Sequence, residues 1–266
     1  MKSPLLLSLA LCACAAAQAA PQAASPAAPQ TVPITTAPVE ITYEPFHHLV
    51  FKNKKVRVFS VEVPPKASTL VHRHKNDYVF VTLGDSEVRN LRQGEKPVDL
   101  RLSDGDVRFT KGGFAHAARN LSDAPFRNVT IEVLKPARGI VSLATCDVTE
   151  GIECGFCNIT PEGTQKCDWP GDMHALPELE KKEDDYAVYQ FTLHLEPGAT
   201  TGMHSHKGDH LVVAVSDLEL KNEVQGKPEE TLRMKSGEVR WVKGGFTHSL
   251  TNMGKRPAWW VSFEFK

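Results

Sequence analysis

The sequence predicts an all-β chain of two similar domains, each an antiparallel sandwich or small barrel. Three observations support this fold class: an internal duplication, short runs of alternating apolar residues separated by frequent turn signals, and no stretch with a sustained helical period. The length of 266 residues agrees with two domains, since a domain takes roughly 150 residues.

The duplication is seen in histidine motifs that recur 132 residues apart. HRHKND begins at His72 and HSHKGD at His204, while KGGFAH ends at His116 and KGGFTH at His248. This offset aligns residues 56–134 with 188–266 without a gap, and 29 of the 79 aligned positions are identical. Identity at this level and at one fixed offset indicates a duplicated domain.

Each repeat is predicted to be a series of short strands. VRVFSVEV alternates with period two, with Val56, Val58, Ser60 and Glu62 on one face and Arg57, Phe59, Val61 and Val63 on the other. YVFVTL, VDLRL and RNVTIEVL are further strands, PPKAST and RQGEKP are turns, and EITYE and HHLVFKN add strands before the repeat. The second repeat gives the same pattern from VYQFTLHL to WWVSFEF.

Composition excludes some partners. The chain is 41% hydrophobic and 24% charged, as in ordinary soluble globular proteins. Its formal net charge is −1 and its pI is about 6.8, so it carries no basic field for nucleic acid. We therefore expect no nucleic-acid partner.

The N-terminus is predicted to direct export. Residues 1–20 read as a signal peptide, with Lys2 before the apolar run Leu5–Leu11 and small residues up to Ala20. The run is too short to span a membrane. LCAC, which ends at Cys14, resembles a bacterial lipoprotein box, so a lipid anchor is the alternative to simple cleavage. Residues 21–39 form an Ala/Pro-rich linker. We expect a periplasmic or secreted protein.

Four cysteines lie between the repeats. The predicted domains are 40–134 and 188–266, joined by a segment, 135–187, that contains Cys146, Cys154, Cys157 and Cys167. Outside the cytoplasm an even number of cysteines favours two disulfides, for which three pairings are open. The spacing lacks a second C-x2-C, which a four-cysteine zinc site would have. The charged end of this segment, 176–187, reads as a short helix or an exposed arm.

The recurring histidines predict metal sites. On a strand, His72 and His74 point to the same face, and His116 approaches from a neighbouring strand. His204, His206 and His248 repeat this arrangement. Three neutral imidazoles suit a divalent transition metal, whether iron, manganese, nickel, copper or zinc. The other histidines, His47, His48, His174 and His194, are interpreted as ordinary surface or core residues.

Both repeats resemble the cupin family. Gly105, Gly112, His116 and Asn120 match its second motif, as do Gly237, Gly244, His248 and Asn252, with Lys111 and Lys243 replacing the motif's proline. Gly198, His204 and His206 match the first motif, whereas Lys66 takes the glycine position in the first repeat. The resemblance covers about 60% of the chain. It implies two double-stranded β-helix (jelly-roll) barrels, as in a bicupin, packed as an internal pseudo-dimer.

The chain departs from the cupin pattern at the usual glutamate ligand. Its position holds Tyr78 in the first repeat and His210 in the second when counted from the histidines. Counted from the following glycine, it holds Asp77 and Asp209. His210 is taken as a further metal ligand, and each aspartate is either a ligand or a side chain that fixes a turn. The missing glutamate disfavours oxalate oxidase or decarboxylase chemistry, and three histidines resemble the sites of three-histidine dioxygenase cupins.

Other residues also repeat. Gly112-Gly113 and Gly244-Gly245 are predicted to form tight turns with positive φ. Arg108 is expected to pair with Glu132 across strands, or else to orient a substrate carboxylate together with its repeat Arg240.

Three functional hypotheses follow. The first is an exported metal-binding bicupin with metal-dependent, dioxygenase-like chemistry on a small molecule. The second is a non-catalytic module of the cell envelope that binds a small molecule or a metal. The third is a chain with one active and one structural barrel. A metal with vacant coordination positions favours chemistry.

Overall fold

The structure, a computed structural model, describes residues 37–134, 140–148, 152–159, 165–168 and 188–265. Across these ranges nearly all regular structure is β-strand, and the single helix is a 3-10 turn at Ile41–Tyr43. The predicted all-β class is therefore confirmed. None of the helices in the described ranges has the length and apolarity needed to cross a membrane. The predicted signal peptide, the linker as far as residue 36 and the charged stretch 176–187 lie outside these ranges.

The first barrel consists of two five-stranded sheets, ordered β1-β4-β9-β6-β7 and β2-β3-β10-β5-β8. Its strands are β1 (Val39–Glu40), β2 (His47–Lys52), β3 (Val56–Val63), β4 (His72–His74), β5 (Tyr78–Leu83), β6 (Ser86–Arg92), β7 (Val98–Leu102), β8 (Val107–Thr110), β9 (Phe114–Asn120) and β10 (Phe126–Val133).

The second barrel repeats eight of these strands in a four-stranded sheet, β15-β20-β17-β18, and a seven-stranded sheet, β13-β12-β11-β14-β21-β16-β19. Its strands are β14 (Val188–Leu195), β15 (His204–His206), β16 (Asp209–Ala214), β17 (Leu218–Val224), β18 (Glu230–Met234), β19 (Val239–Val242), β20 (Phe246–Asn252) and β21 (Ala258–Phe265). Three further strands, β11 (Ile140–Val148), β12 (Ile152–Ile159) and β13 (Gln165–Asp168), extend the larger sheet beyond β14. Except for β16, each repeated strand begins and ends 132 residues after its counterpart.

The two faces of β3 pack in two different apolar clusters. Val56 and Val58 belong to an apolar cluster that also contains Val261 and Phe263 of the second barrel. Phe59 and its neighbours on the opposite face fill the interior of the first barrel. Burying an apolar side chain of this size contributes about 1.5–3 kcal/mol. The larger sheets of the two barrels thus share one core, which explains why both faces of β3 are apolar.

Two features of the backbone differ from the sequence prediction. EITYE is largely not a strand: its first glutamate, Glu40, caps the 3-10 turn by accepting a hydrogen bond from the Thr42 amide at 3.0 Å. A side chain that caps a backbone amide favours a turn over continued pairing. The repeated glycine turns are each followed by a strand, β9 and β20, that the sequence pattern did not single out.

Candidate metal centres

The histidines of each repeat are brought together by strand pairing. The side chains of His72 and His74 share one face of β4, and His72 is the cross-strand partner of His116 on β9. In the second barrel His204 is the partner of His248 in the same way. We call His72, His74 and His116 the first cluster, and His204, His206 and His248 the second cluster.

The glycine turn sets the start of β9. A Cβ on Gly112 would lie 2.4 Å from the Asn76 backbone, and Gly113 has φ +90°, a conformation that favours glycine. The Gly113 amide then donates to the His74 carbonyl at 2.8 Å, which fixes the register that places His116 opposite His72. The predicted tight turn is therefore present.

In the second cluster, three ring nitrogens converge. His204 Nε2 lies 3.2 Å from His206 Nε2 and 3.1 Å from His248 Nε2. Two nitrogens that are each about 2.1 Å from one ion lie about 3.0–3.4 Å apart for angles between octahedral and tetrahedral values. The spacing thus fits three ligands of a single ion.

The opposite ring nitrogens are all held by oxygen acceptors. His204 Nδ1 donates to the Gly202 carbonyl (3.1 Å), His248 Nδ1 to Asn222 Oδ1 (2.7 Å) and His206 Nδ1 to Glu264 Oε2 (3.4 Å). Since carbonyl, amide and carboxylate oxygens only accept, each Nδ1 carries the proton. With an oxygen acceptor at each Nδ1, the three Nε2 atoms face one another, an arrangement that suits a cation between them.

A proton is a poor candidate for that cation at neutral pH. Burial, together with the neighbouring histidines His204, His206 and His210, lowers the pKa of His248 to about 3. A metal ion satisfies the same lone pairs without protonating a buried ring.

Two of the three rings in the first cluster have the same kind of anchor, whereas His74 Nδ1 is buried without a hydrogen-bond partner. His72 Nδ1 donates to the Leu70 carbonyl (2.9 Å) and His116 Nδ1 to Asn90 Oδ1 (2.8 Å), while His74 Nδ1 lies 3.4 Å from Glu132 Oε1. The Nε2 atoms of His72 and His116 are buried without a hydrogen-bond partner. Burial lowers the pKa of His72 to about 4 and that of His116 well below its usual value, so both rings stay neutral. The donor set fits a divalent metal.

The structure adds a histidine that the sequence did not suggest. His47, on β2, is buried, and its ligand atom lies within 4.8 Å of those of His72 and His74; these three form the converging group of the first barrel, to which His116 does not belong. Its only sequence signal is the pair His47-His48, and His48 is exposed. His194 packs beside Trp259 with ring centroids 4.3 Å apart, and His174 lies outside the described residues.

Residues at the missing-glutamate position stack on the cluster. Tyr78 lies flat on the His74 ring with centroids 3.9 Å apart, and His210 lies flat on His206 at 4.2 Å. Burial raises the pKa of Tyr78 to about 12 and lowers that of His210 to about 4, so both are neutral. His210 Nδ1 is buried without a hydrogen-bond partner, but His210 does not belong to the group of converging ligand atoms.

The two aspartates hold the glycine turns. Asp77 accepts from Lys111 Nζ (2.8 Å) and from the Gly112 amide (2.9 Å). Asp209 makes the equivalent bonds to Lys243 Nζ (2.9 Å) and to the Gly244 amide (3.2 Å). Both carboxylate oxygens of each aspartate are therefore occupied, which supports the turn-fixing alternative over a ligand role.

The predicted ion pair between Arg108 and Glu132 is wrong. β5 lies between β8 and β10, so the two residues are two strands apart, and Arg108 is exposed and paired with Asp106 at 3.0 Å. Glu132 is instead buried, forms an ion pair with Arg57 and faces His74. The repeated glutamates, Glu132 and Glu264, thus lie behind a cluster histidine, as carboxylates often do behind metal-bound imidazoles.

The two clusters differ in accessibility. The His206 side chain is 15% exposed, whereas its counterpart His74 is 2% exposed. The segment before the first repeat covers the first cluster, because β1 pairs with β4 and the Leu70 amide donates to Glu44 Oε1 at 3.0 Å. Solvent and small molecules therefore reach the second cluster more easily than the first.

Comparison with known proteins identifies the fold. No protein-family model and no curated protein matches the sequence. The crystal structure of AerE from Microcystis aeruginosa matches with a TM-score of 0.50 at 10% identity, over 84% of this chain and 98% of that chain. Oxalate decarboxylase from Bacillus subtilis, which has Mn(II) centres, gives a TM-score of 0.48 at 14% identity, over 80% and 69%. A cupin domain from Bordetella pertussis Tohama I gives 0.32 at 26% identity, over 37% and 97%.

The chain therefore has the cupin fold in its two-barrel form, and the resemblance read from the motifs is confirmed at the level of the fold. At these identities the likeness to solved structures extends to the fold alone.

Proposed function

We propose that this protein is an exported two-barrel metal protein that binds a divalent transition metal at each cluster. His72, His74 and His116 hold one ion, and His204, His206 and His248 hold the other. The observation that carries the proposal is the convergence of three Nε2 atoms in the second cluster: His204 Nε2 lies 3.2 Å from His206 Nε2 and 3.1 Å from His248 Nε2, and each ring is anchored through Nδ1.

The second barrel is the proposed site of dioxygenase-like oxidation of a small molecule. A bound divalent ion there supplies Lewis-acid or redox chemistry at positions that three protein ligands leave open. His210 and Phe246 flank the cluster, since Phe246 lies 4.8 Å from His248 and 6.0 Å from His210 between ring centroids. These uncharged rings form a wall beside the cluster against which a small substrate could lie.

The alternative is a non-catalytic cupin module that binds a metal or a small molecule in the cell envelope. The burial of the first cluster favours that role for the first barrel, because a site closed to solvent stabilises the fold more readily than it admits a substrate. The burial of the first cluster and the greater exposure of the second together favour a chain with one active and one structural barrel.

Export and domain organisation are part of the proposal. Residues 1–20 act as the signal peptide, with Cys14 lipidation as the alternative, and the mature protein is periplasmic or secreted. The barrels, at 40–134 and 188–266, pack as an internal pseudo-dimer. The apolar cluster that both larger sheets share supports this arrangement, as does the stacking of Phe51 on Trp241 at 5.6 Å.

Metal content per chain tests the proposal. Mature protein purified without added metal or chelator should contain about two divalent ions per chain by mass spectrometry. His116→Ala and His248→Ala should each remove about one ion. Oxygen uptake with candidate small molecules should then be lost in His248→Ala and retained in His116→Ala. Absence of metal, even after incubation with divalent ions, would refute both the metal assignment and the enzymatic role.

A further inference from the structure

We propose that His47 is a fourth nitrogen ligand of the first-barrel metal and that buried Glu44 orients its ring. This inference rests on the proposed metal site of the first barrel. It makes the first site a closed four-histidine set, while the second site keeps three histidines and open positions. The fourth ligand comes from β2, outside the repeated part of the barrel.

The position of His47 fits a ligand. Its ring centroid lies 4.6 Å from that of His72, a separation within the 4.5–5.2 Å found between the rings of the first cluster. Its centroid lies 6.3 Å from that of His74. Because His47 belongs to the sheet that faces β4 and β9, it approaches the cluster from across the barrel.

Glu44 determines which nitrogen of His47 is available. The carboxylate is buried, with Oε2 2.6 Å from His47 Nδ1 and accepting from the Phe46 amide at 2.9 Å, while Oε1 accepts from the Leu70 amide at 3.0 Å. An acceptor at Nδ1 places the His47 proton there and leaves the Nε2 lone pair for the metal. The pair therefore has the carboxylate–histidine arrangement that orients metal-bound imidazoles.

The position equivalent to His47 in the sequence is not a histidine. The residue 132 positions after His47 is Leu179. Four protein ligands complete a tetrahedral structural site, whereas catalytic sites keep a position for water or substrate. The added ligand therefore assigns the first ion to stability and leaves substrate chemistry to the second.

The test uses Co(II), whose visible absorption reports coordination number. The parent is the full mature chain carrying His204→Ala and His248→Ala, so that only the first barrel binds. His47→Asn in this parent keeps a donor for Glu44 and removes Nε2. His48→Ala is the matched control, because His48 is the exposed neighbour.

His47→Asn should weaken Co(II) binding at least tenfold in chelator competition and change the absorption spectrum, and His48→Ala should do neither. Glu44→Gln should weaken binding less than His47→Asn. Unchanged affinity and spectrum in His47→Asn would overturn this inference and leave the proposed three-histidine sites standing. A parent that binds no Co(II) would overturn both. Folding is checked in the chain with an intact second barrel, where His47→Asn should retain the second ion.

A second inference concerns the cysteines and rests on backbone register alone. In the ladder of β11, β12 and β13, Cys146 lies directly opposite Cys154, and Cys157 lies directly opposite Cys167. Antiparallel partners have Cα atoms about 4.5–5.5 Å apart. Disulfides need about 4.4–6.8 Å. Of the three pairings that the sequence left open, we infer Cys146–Cys154 and Cys157–Cys167.

Each bridge forms when two thiols lose two electrons and two protons to a disulfide-carrying oxidant, which is reduced to a dithiol. The pairing is tested on the alkylated, unreduced mature protein. Cleavage after Glu150, Glu153, Phe156 and Lys166 puts each cysteine in its own peptide. Mass spectrometry should find the Cys146 peptide linked to that of Cys154, and the Cys157 peptide linked to that of Cys167. Any other linkage, or four alkylated cysteines, would overturn the pairing.

Discussion

The hydrogen bond between His248 and Asn222 allows a direct test of how the ring tautomer controls the second site. Asn222 Nδ2 donates to Glu230 Oε1 at 2.9 Å, so the amide oxygen is the atom that faces His248 Nδ1. Asn222→Leu keeps a side chain of similar size and removes the acceptor. The His248 proton is then free to move to Nε2, the atom that lies 3.1 Å from His204 Nε2. A metal must displace that proton before it binds.

The expected loss follows from the number of anchors removed. One of three ring anchors disappears, while the Gly202 carbonyl and Glu264 still hold the other two rings. Loss of such a partner weakens metal binding about 10- to 100-fold. This corresponds to about 1.4–2.8 kcal/mol of binding free energy. The affinity is measured by chelator competition in a chain whose first site is disabled by His72→Ala and His116→Ala.

Asn90→Leu is the matched control, because Asn90 makes the equivalent hydrogen bond to His116 in the first barrel. It should leave the affinity of the second site unchanged in the same background. If Asn222→Leu binds metal as tightly as its parent and still unfolds cooperatively, the tautomer argument is wrong. If Asn90→Leu weakens the second site equally, the effect arises from general packing and not from the ring anchor.

Three further outcomes are expected. Metal-free protein should lose stability as pH falls from 7 to 4. The pKa of His248 is about 3 in the folded state and near 6.5 in the unfolded state, so the unfolded chain binds more protons in this range. Denaturant titrations that show equal or greater stability at pH 5 than at pH 7 would contradict this expectation. Gly105→Ala should lower the free energy of unfolding by about 2–4 kcal/mol, because its Cβ would lie 1.9 Å from Trp259 Cζ2. Gly94 has a similar positive φ but open space around it, so Gly94→Ala should lower the free energy of unfolding by only about 1 kcal/mol. Equal losses in the two variants would count against the contact between the barrels. Asp209→Ala should lower the Tm without changing metal content, because Asp209 fixes a turn. Loss of an ion in this variant would instead indicate that Asp209 is a metal ligand.

Much of the fold was predictable because the strand period and the repeat offset are local properties of the sequence. The bounds of VRVFSVEV and VYQFTLHL agree with those of β3 and β14. The alternation did not reveal that the face of β3 with Val56 and Val58 packs against a second barrel, because contact between distant strands leaves no period in the sequence. EITYE has strand-type composition, yet the capping oxygen of Glu40 turns the chain.

The site was predictable where it was repeated. Six histidines at one offset were a sufficient signal for both clusters. His47 was missed because it has no counterpart in the second repeat, and its partners, Glu44 and His72, meet it only through tertiary packing. The ring anchors were missed for the same reason: Asn90 and Asn222 do repeat, but nothing in their spacing connects them with a histidine 26 residues later.

The strand added beside each repeat differs between the two barrels, and this difference underlies the proposed divergence of the two metal sites. In the first barrel that strand is β2, antiparallel to β3, with His47 opposite Val61. In the second barrel the place is taken by β11, parallel to β14, with Cys146 opposite Leu193, the counterpart of Val61. If Cys146 is joined to Cys154 as we infer, it has no thiolate to offer a metal. In the proposed metal sites, the first therefore gains a fourth ligand from its added strand, whereas β11 is not proposed to add one to the second.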